Sequence, residues 1–88
     1  MKEVVKTIIS KLKEKGINTV LYEMTDEGWI VNIKTNLGDI EKLPEETREL
    51  IDVLERTIEY LKPSEEHEDI AVWKWVVDGV EIVKQVLV

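Results

Sequence analysis

Residues 70–88, IAVWKWVVDGVEIVKQVLV, carry the clearest structural signal in this chain and predict a β-hairpin with a fixed register. Asp78-Gly79 is a preferred pair for the two-residue type I′ turn, in which both central residues have positive φ. The segments on either side, residues 70–77 and 80–88, are rich in the β-branched and aromatic residues that favour strands. Pairing outward from the turn places four pairs on one face: Val77–Val80, Trp75–Ile82, Trp73–Lys84 and Ala71–Val86.

The two faces of this hairpin are predicted to differ. The face with Trp73 and Trp75 is nearly all apolar, and we expect Lys84 to lie over the Trp73 ring, so this face is predicted to join the core. The reverse face pairs Val76–Glu81, Lys74–Val83, Val72–Gln85 and Ile70–Leu87, and five of its eight residues are apolar. That is unusually apolar for a surface in contact with solvent.

An interaction surface is therefore predicted on the reverse face, formed by Ile70, Val72, Val83 and Leu87. If residues 80–88 also form an edge strand, their unpaired backbone groups would help to bind another chain, and no proline blocks them.

The segment before this hairpin, residues 44–62, predicts an amphipathic helix. Pro44 suits the first helical turn, and Glu45 and Glu46 complement the positive end of the helix dipole. Pro63 ends the pattern. The apolar stripe consists of Leu50, Ile51, Leu54, Ile58 and Leu61.

Another hairpin is predicted nearer the N-terminus, where the apolar period changes to two from Thr19 onward. Pairing Met24 with Trp29 across residues 25–28 makes Trp29 a core residue, as the Asp78-Gly79 turn does for Trp75. This register puts six residues on one face: Val20, Tyr22, Met24, Trp29, Val31 and Ile33. Residues 36–39 are typical of a turn, and residues 40–43 fit either a short third strand or a lead into the next helix.

The N-terminal segment predicts a first amphipathic helix. Gly16 is expected to end it, because a residue without Cβ readily takes the left-handed conformation of a helix C-terminus. Its apolar face consists of Val4, Val5, Ile8, Ile9 and Leu12.

These elements predict an α+β fold with two layers in the order α-β-β-α-β-β. Two helices are expected to pack on one face of a four-stranded, mostly antiparallel sheet, whose strand order stays undetermined. The chain has 88 residues, so we expect a single domain over residues 1–88 with one core. Its 43% hydrophobic content lies on the globular side of the boundary with disorder.

Composition argues against several classes of function. The net charge of −7 repels phosphate groups, so direct nucleic-acid binding is not expected. The absence of cysteine rules out disulfides and thiolate chemistry. No membrane-length apolar run and no signal-peptide pattern occur, which predicts a cytoplasmic protein without membrane contacts. The many Lys and Glu residues would also suit a thermostable protein.

The sequence predicts no catalytic, cofactor-binding or metal-binding residues, and no small-molecule substrate. His67 lies in the acidic run of residues 65–69, which is interpreted as a solvated, mobile connection because it lacks the spacing of a calcium loop. One imidazole cannot make a zinc site. The serines and glycines belong to no nucleophile turn or phosphate loop. The protein is therefore not expected to be an enzyme.

Three interpretations of function remain. The leading one is a small, acidic, non-catalytic protein-interaction module that acts as a homodimer or binds a partner on the second hairpin. An alternative is an acidic inhibitor that occupies a basic, nucleic-acid-type groove on its target. A further alternative is a designed α/β scaffold without biological function, although the β-branched residues of the first helix argue against it.

Overall fold

The structure, a computed structural model that describes residues 1–87, confirms the register of the second hairpin. Its strands are β5 (Val72–Val77) and β6 (Val80–Val86), and Val88 lies outside the described residues. Asp78 and Gly79 have φ of 48° and 82°, as a type I′ turn requires. The pairs Val77–Val80, Trp75–Ile82 and Trp73–Lys84 all form.

The open end of this hairpin differs from the prediction. β5 begins at Val72, because Glu68–Ile70 forms a 3₁₀ turn and Ala71 takes a left-handed conformation with φ of 52°. The Val86 amide still donates to the Ala71 carbonyl at 3.0 Å. Ile70 lies in the turn and outside the strand register, so its predicted pairing with Leu87 is wrong.

The predicted α+β class is confirmed, but the four-stranded, mostly antiparallel sheet is wrong in detail. Within residues 1–87 the sheet is mixed and has six strands, in the order β3-β2-β1-β6-β5-β4. All neighbours are antiparallel except β1 and β6, which are parallel. The remaining strands are β1 (Thr19–Met24), β2 (Ile30–Thr35), β3 (Gly38–Asp39) and β4 (Glu65–His67).

The two short strands lie at the sheet edges and were not predicted. β3 pairs with β2, and Ile40–Lys42 is a 3₁₀ turn, which resolves the open question about residues 40–43. β4 arises from the acidic run that was interpreted as a mobile connection, and it pairs with β5. β6 lies between β1 and β5, so the condition that residues 80–88 form an edge strand is not met in their described part.

The helices α1 (Lys2–Glu14) and α2 (Glu45–Thr57) pack on one face of the sheet. Gly16 ends α1 as expected, with φ of 84°. The Ile17 amide donates to the Leu12 carbonyl at 3.0 Å, and both side chains are buried, as in a Schellman motif. The core formed by the helices and the sheet contains Val5, Ile8, Ile9, Leu12, Ile17, Val20, Tyr22, Ile33, Ile51, Leu54, Ile58, Trp75, Val80 and Ile82.

The first hairpin has another register than the predicted one. Met24 pairs with Ile30 instead of Trp29, and an irregularity between Glu23 and Met24 lets Tyr22 pair with Ile33. Trp29 lies in the loop, where its amide donates to the Thr25 hydroxyl at 3.2 Å and its carbonyl accepts from the Thr25 amide. Trp29 is therefore 71% exposed, and its assignment to the core is wrong.

Val31 is also exposed, contrary to the prediction, whereas Trp75 is buried as expected, with 4% exposure. Within residues 1–87, no helix is long and apolar enough to cross a membrane.

Candidate functional site

The sheet presents two unlike faces. Because side chains alternate along a strand, the residues between the buried ones point away from both helices. We call this side the uncovered face, since nothing in the described part of the chain packs on it. The strand registers place its residues in two central rows, Lys34–Leu21–Val83–Lys74–Glu65 and Asn32–Glu23–Gln85–Val72–His67.

The predicted interaction residues are only partly brought together by the structure. Val72 and Val83 lie in these adjacent rows and are half-buried. Leu87 follows β6 in the alternate position that continues from Val83, and it is 43% exposed. Ile70 is 61% exposed but lies in the turn before β5. Val76, which also lies on this face, is 50% exposed and was not included in the prediction.

Ion pairs flank these apolar residues. Lys74 Nζ lies 3.6 Å from Glu65 and 3.3 Å from Glu81, and Lys34 Nζ lies 3.5 Å from Glu23. The long lysine stems cover apolar surface while the charged ends remain partly in water. Leu21 and Val83 are therefore half-buried although no secondary-structure element covers them.

On the helix-covered face, one cross-strand row runs from the core to the edge of the sheet. The registers place Ile33, Tyr22, Lys84, Trp73 and Glu66 side by side on β2, β1, β6, β5 and β4. The antiparallel neighbours in this row have Cβ atoms about 4.5–5.5 Å apart. α2 covers the first part of this row, and the end with Trp73 and Glu66 is more open.

Lys84 is a buried cation at the centre of this row. Its side chain is 2% exposed, and its ammonium donates to the Glu55 carbonyl at 2.9 Å, to Glu55 Oε2 at 2.9 Å and to Glu59 Oε1 at 2.7 Å. Three acceptors match the three N–H groups of an ammonium. Lys84 pairs with Trp73 as predicted, but its charge lies near the rings of Tyr22, at 5.9 Å, and Trp75, at 6.0 Å.

Tyr22 anchors the same row to α2. Its hydroxyl donates to the Ile51 carbonyl at 2.6 Å. Burial raises the pKa of the Tyr22 phenol well above its ordinary value, and the charges of Glu55 and Asp52 raise it further. The phenol therefore stays protonated and keeps this hydrogen bond at neutral pH.

A pocket of about 320 Å³, which we call the Trp73 pocket, opens at the outer end of the row. Trp75 Nε1 donates to the Leu61 carbonyl at 2.9 Å and so holds the segment after α2 over β5. The pocket combines apolar and aromatic walls with two exposed carboxylates, and Lys84 lies at its inner end. Its lining consists of Met24, Glu59, Leu61, Pro63, Glu66, Trp73, Trp75 and Lys84.

The remaining polar candidate from the sequence is His67. Its Nε2 lies 3.4 Å from Glu65 Oε1, and both side chains are about half exposed, so the pair is in contact with water. Among residues 1–87, no three side chains of His, Asp or Glu come together in a way that could hold a metal ion.

Sequence reasoning missed the Trp73 pocket. The available signal was the pairing of Trp73 with Lys84, which places a charged residue on the core face of the hairpin. The carboxylates that complete the pocket come from the 3₁₀ turn after α2, Ile58–Tyr60, and from β4, and neither position follows from the hairpin alone. The chain matches no protein-family model, no curated protein sequence and no solved structure.

Proposed function

We propose that the protein is a non-catalytic interaction module that binds a second protein chain through the uncovered face. The observation that carries this proposal is the one-sided covering of the sheet. Both helices lie on one face, while Leu21, Val72, Val76 and Val83 lie on the other among polar and charged side chains, with no helix over them. Apolar residues grouped on an accessible surface are characteristic of association sites.

A second copy of this chain is the partner that the charges favour. The ion pairs of the uncovered face contribute two lysines and three glutamates, so the face is nearly neutral although the chain carries −7. Two copies therefore repel each other less at this face than elsewhere. In a two-fold contact, lysines of one copy can lie opposite glutamates of the other.

The contact uses the side chains of the face and not strand addition at β6 or β4. β6 is hydrogen-bonded on both sides, so its backbone is not free to pair with another chain. The edge strand β4 carries Glu65, Glu66 and His67, and charged residues at an edge discourage pairing with a second sheet.

Sedimentation of the wild type and three variants tests this proposal. We expect a wild-type dimer in concentrated solution. Val76→Lys places a charge opposite Glu81 within one copy, so it is expected to preserve the fold while it puts a cation into the contact. The double variant Val72→Glu with Val83→Lys charges the centre of the face. Each of these two variants is expected to raise the dissociation constant of the dimer by at least about tenfold.

Val4→Lys is the matched control, because Val4 is 42% exposed on α1 and lies outside the uncovered face. This variant is expected to dimerise like the wild type. Circular dichroism shows whether each variant is folded, and if the double variant unfolds, Val76→Lys carries the test. A wild type that is monomeric at every concentration, or a Val76→Lys variant that still dimerises fully, contradicts the proposal.

A second candidate function is inhibition of a basic, nucleic-acid-binding protein. It is favoured by the four acidic residues Glu65, Glu66, Glu68 and Asp69, all of which are exposed along β4 and the turn that follows it. Such a module would displace DNA from a basic groove on its target. Failure of the wild type to compete with DNA for any basic protein, at low ionic strength, would count against this candidate.

A further inference from the structure

The Trp73 pocket has the composition of a cation-binding site. Its lining contains two glutamates, Glu59 and Glu66, and one lysine, Lys84, which also pairs with Glu55 outside the lining, so the local charge is negative. All three donors of Lys84 are engaged by Glu55 and Glu59, so this ammonium is not available to an anionic ligand. A phosphate or carboxylate ligand would meet the negative charge of Glu66, which repels it.

The shape of the pocket and the chemistry of its walls restrict the kind of cation that can bind. Trp73 is half-buried and is the cross-strand neighbour of Glu66, so an aromatic ring and a carboxylate lie side by side at the mouth of the pocket. A planar guanidinium can stack on an indole face while it donates two hydrogen bonds to an adjacent carboxylate. An ammonium can make the cation–π contact but not the bidentate pair.

The size of the pocket fits a single side chain. Its volume of about 320 Å³ is at the lower end for sites that bind small molecules. Met24, Leu61 and Pro63 offer apolar contacts for the three methylene groups of an arginine stem. The overall charge of −7 attracts a basic partner over a longer range.

We propose that the Trp73 pocket binds an arginine side chain presented by a partner protein. The site lies on the helix-covered side of the sheet, so it is separate from the uncovered face and does not depend on dimerisation. Stacking on Trp73 and pairing with Glu66 provide the recognition, and Lys84 with Glu59 forms the inner wall.

The test is a fluorescence titration with three short blocked peptides that differ at one residue: arginine, lysine or citrulline. Citrulline has nearly the shape of arginine but no charge. The Trp29→Phe protein is used with selective excitation of tryptophan, because its tryptophan emission comes only from Trp73 and Trp75. The arginine peptide is expected to give a saturable change in emission, and the lysine and citrulline peptides are expected to bind more weakly, the citrulline peptide by at least about fivefold.

Two variants locate the site. Glu66→Gln is expected to weaken the binding of the arginine peptide by about fivefold. Glu68, which is also exposed, lies outside the pocket lining, so Glu68→Gln is expected to leave this binding unchanged. Trp73→Leu is expected to abolish binding while thermal unfolding remains cooperative. If Trp73→Leu unfolds, the Glu66→Gln and Glu68→Gln pair decides the question.

Three results would overturn the assignment. The first is the absence of any saturable change with the arginine peptide at low salt. The second is equal binding of the arginine peptide and either of the other peptides, because recognition would then not depend on a guanidinium. The third is an equal effect of Glu66→Gln and Glu68→Gln, because only the overall charge would then matter. None of these results bears on the dimer, which sedimentation measures separately.

Discussion

The covered and uncovered faces of the sheet are built from alternate residues of the same strands, yet each holds a residue type expected on the other. Lys84 is buried on the covered face, and Val76 is half exposed on the uncovered one. Both lie in the second hairpin, whose register follows from its turn. The turn decides which residues share a face, but the helices decide which face is buried.

A pair of lysines makes the contrast quantitative. Lys84 and Lys74 each lie near two glutamates, but the Lys84 contacts are 2.9 and 2.7 Å and those of Lys74 are 3.6 and 3.3 Å. The side chain of Lys84 is 2% exposed and that of Lys74 is 30% exposed. A buried cation must keep its partners, whereas a cation in contact with water can replace them by hydration.

The largest effect is expected from the tryptophans. Trp75→Ala should lower the free energy of unfolding by about 3–5 kcal/mol, because it leaves a cavity between the sheet and the segment after α2. Trp29→Ala removes the same side chain from an exposed loop and should cost less than about 1 kcal/mol. Denaturant unfolding of both variants measures the difference. Similar losses at the two positions would show that the burial described for the two hairpins is wrong.

The next largest effect is expected when the glutamate partners of Lys84 are replaced, compared with those of Lys74. Glu55→Gln with Glu59→Gln leaves the Lys84 ammonium buried without a neutralising charge and should cost about 2–3 kcal/mol. The matched pair on the uncovered face, Glu65→Gln with Glu81→Gln, should cost less than about 1 kcal/mol. Urea unfolding at neutral pH measures the loss of unfolding free energy in both double variants. Equal losses would mean that the Lys84 ammonium is in contact with solvent.

A smaller effect is expected at alkaline pH. Tyr22→Phe should cost about 1 kcal/mol at pH 7, since it removes the hydrogen bond to the Ile51 carbonyl. The folded state raises the pKa of Tyr22, while an unfolded tyrosine ionises near pH 10, about its ordinary value. The stability that depends on the protonated phenol is therefore complete below about pH 10 and is lost as the pH rises further.

Above that pH the difference between wild type and Tyr22→Phe should narrow and then reverse. Unfolding curves recorded across the alkaline range, with Tyr60→Phe as the exposed control, measure this change. A constant difference between wild type and Tyr22→Phe at every pH would show that the phenol is not shielded from water.

The second hairpin was predicted well because two residues, Asp78 and Gly79, define its turn and leave one register. The register of the first hairpin was predicted wrongly, because a four-residue loop does not determine which two residues pair across it. The Thr25 hydroxyl accepts from the Trp29 amide, which places Trp29 in the loop and shifts the pairing to Ile30. Alternation favoured the Met24–Trp29 register but does not exclude the observed one, because each puts Tyr22 and Ile33 on the same face.

The strand order and the short strands depend on contacts between distant segments. β4 has the sequence Glu65-Glu66-His67, which has little intrinsic strand preference and pairs only because β5 offers a free edge. The parallel pairing of β1 with β6 joins the two hairpins, and neither hairpin has a local sequence pattern that indicates this pairing. For the same reason, the residues of the Trp73 pocket on β5 and β6 could be predicted from the sequence. The positions of the Glu59 and Glu66 carboxylates could not.

The uncovered face is tested most directly by cross-saturation between two copies of the wild-type chain, observed by NMR of methyl groups. One copy is deuterated and carries labelled methyls, and the other is fully protonated and is irradiated. Saturation is expected to reach the methyls of Val72, Val76 and Val83 in concentrated solution and to spare those of Val4 on α1. Transfer to Val4 but not to these three valines, or no transfer at any concentration, would contradict the account.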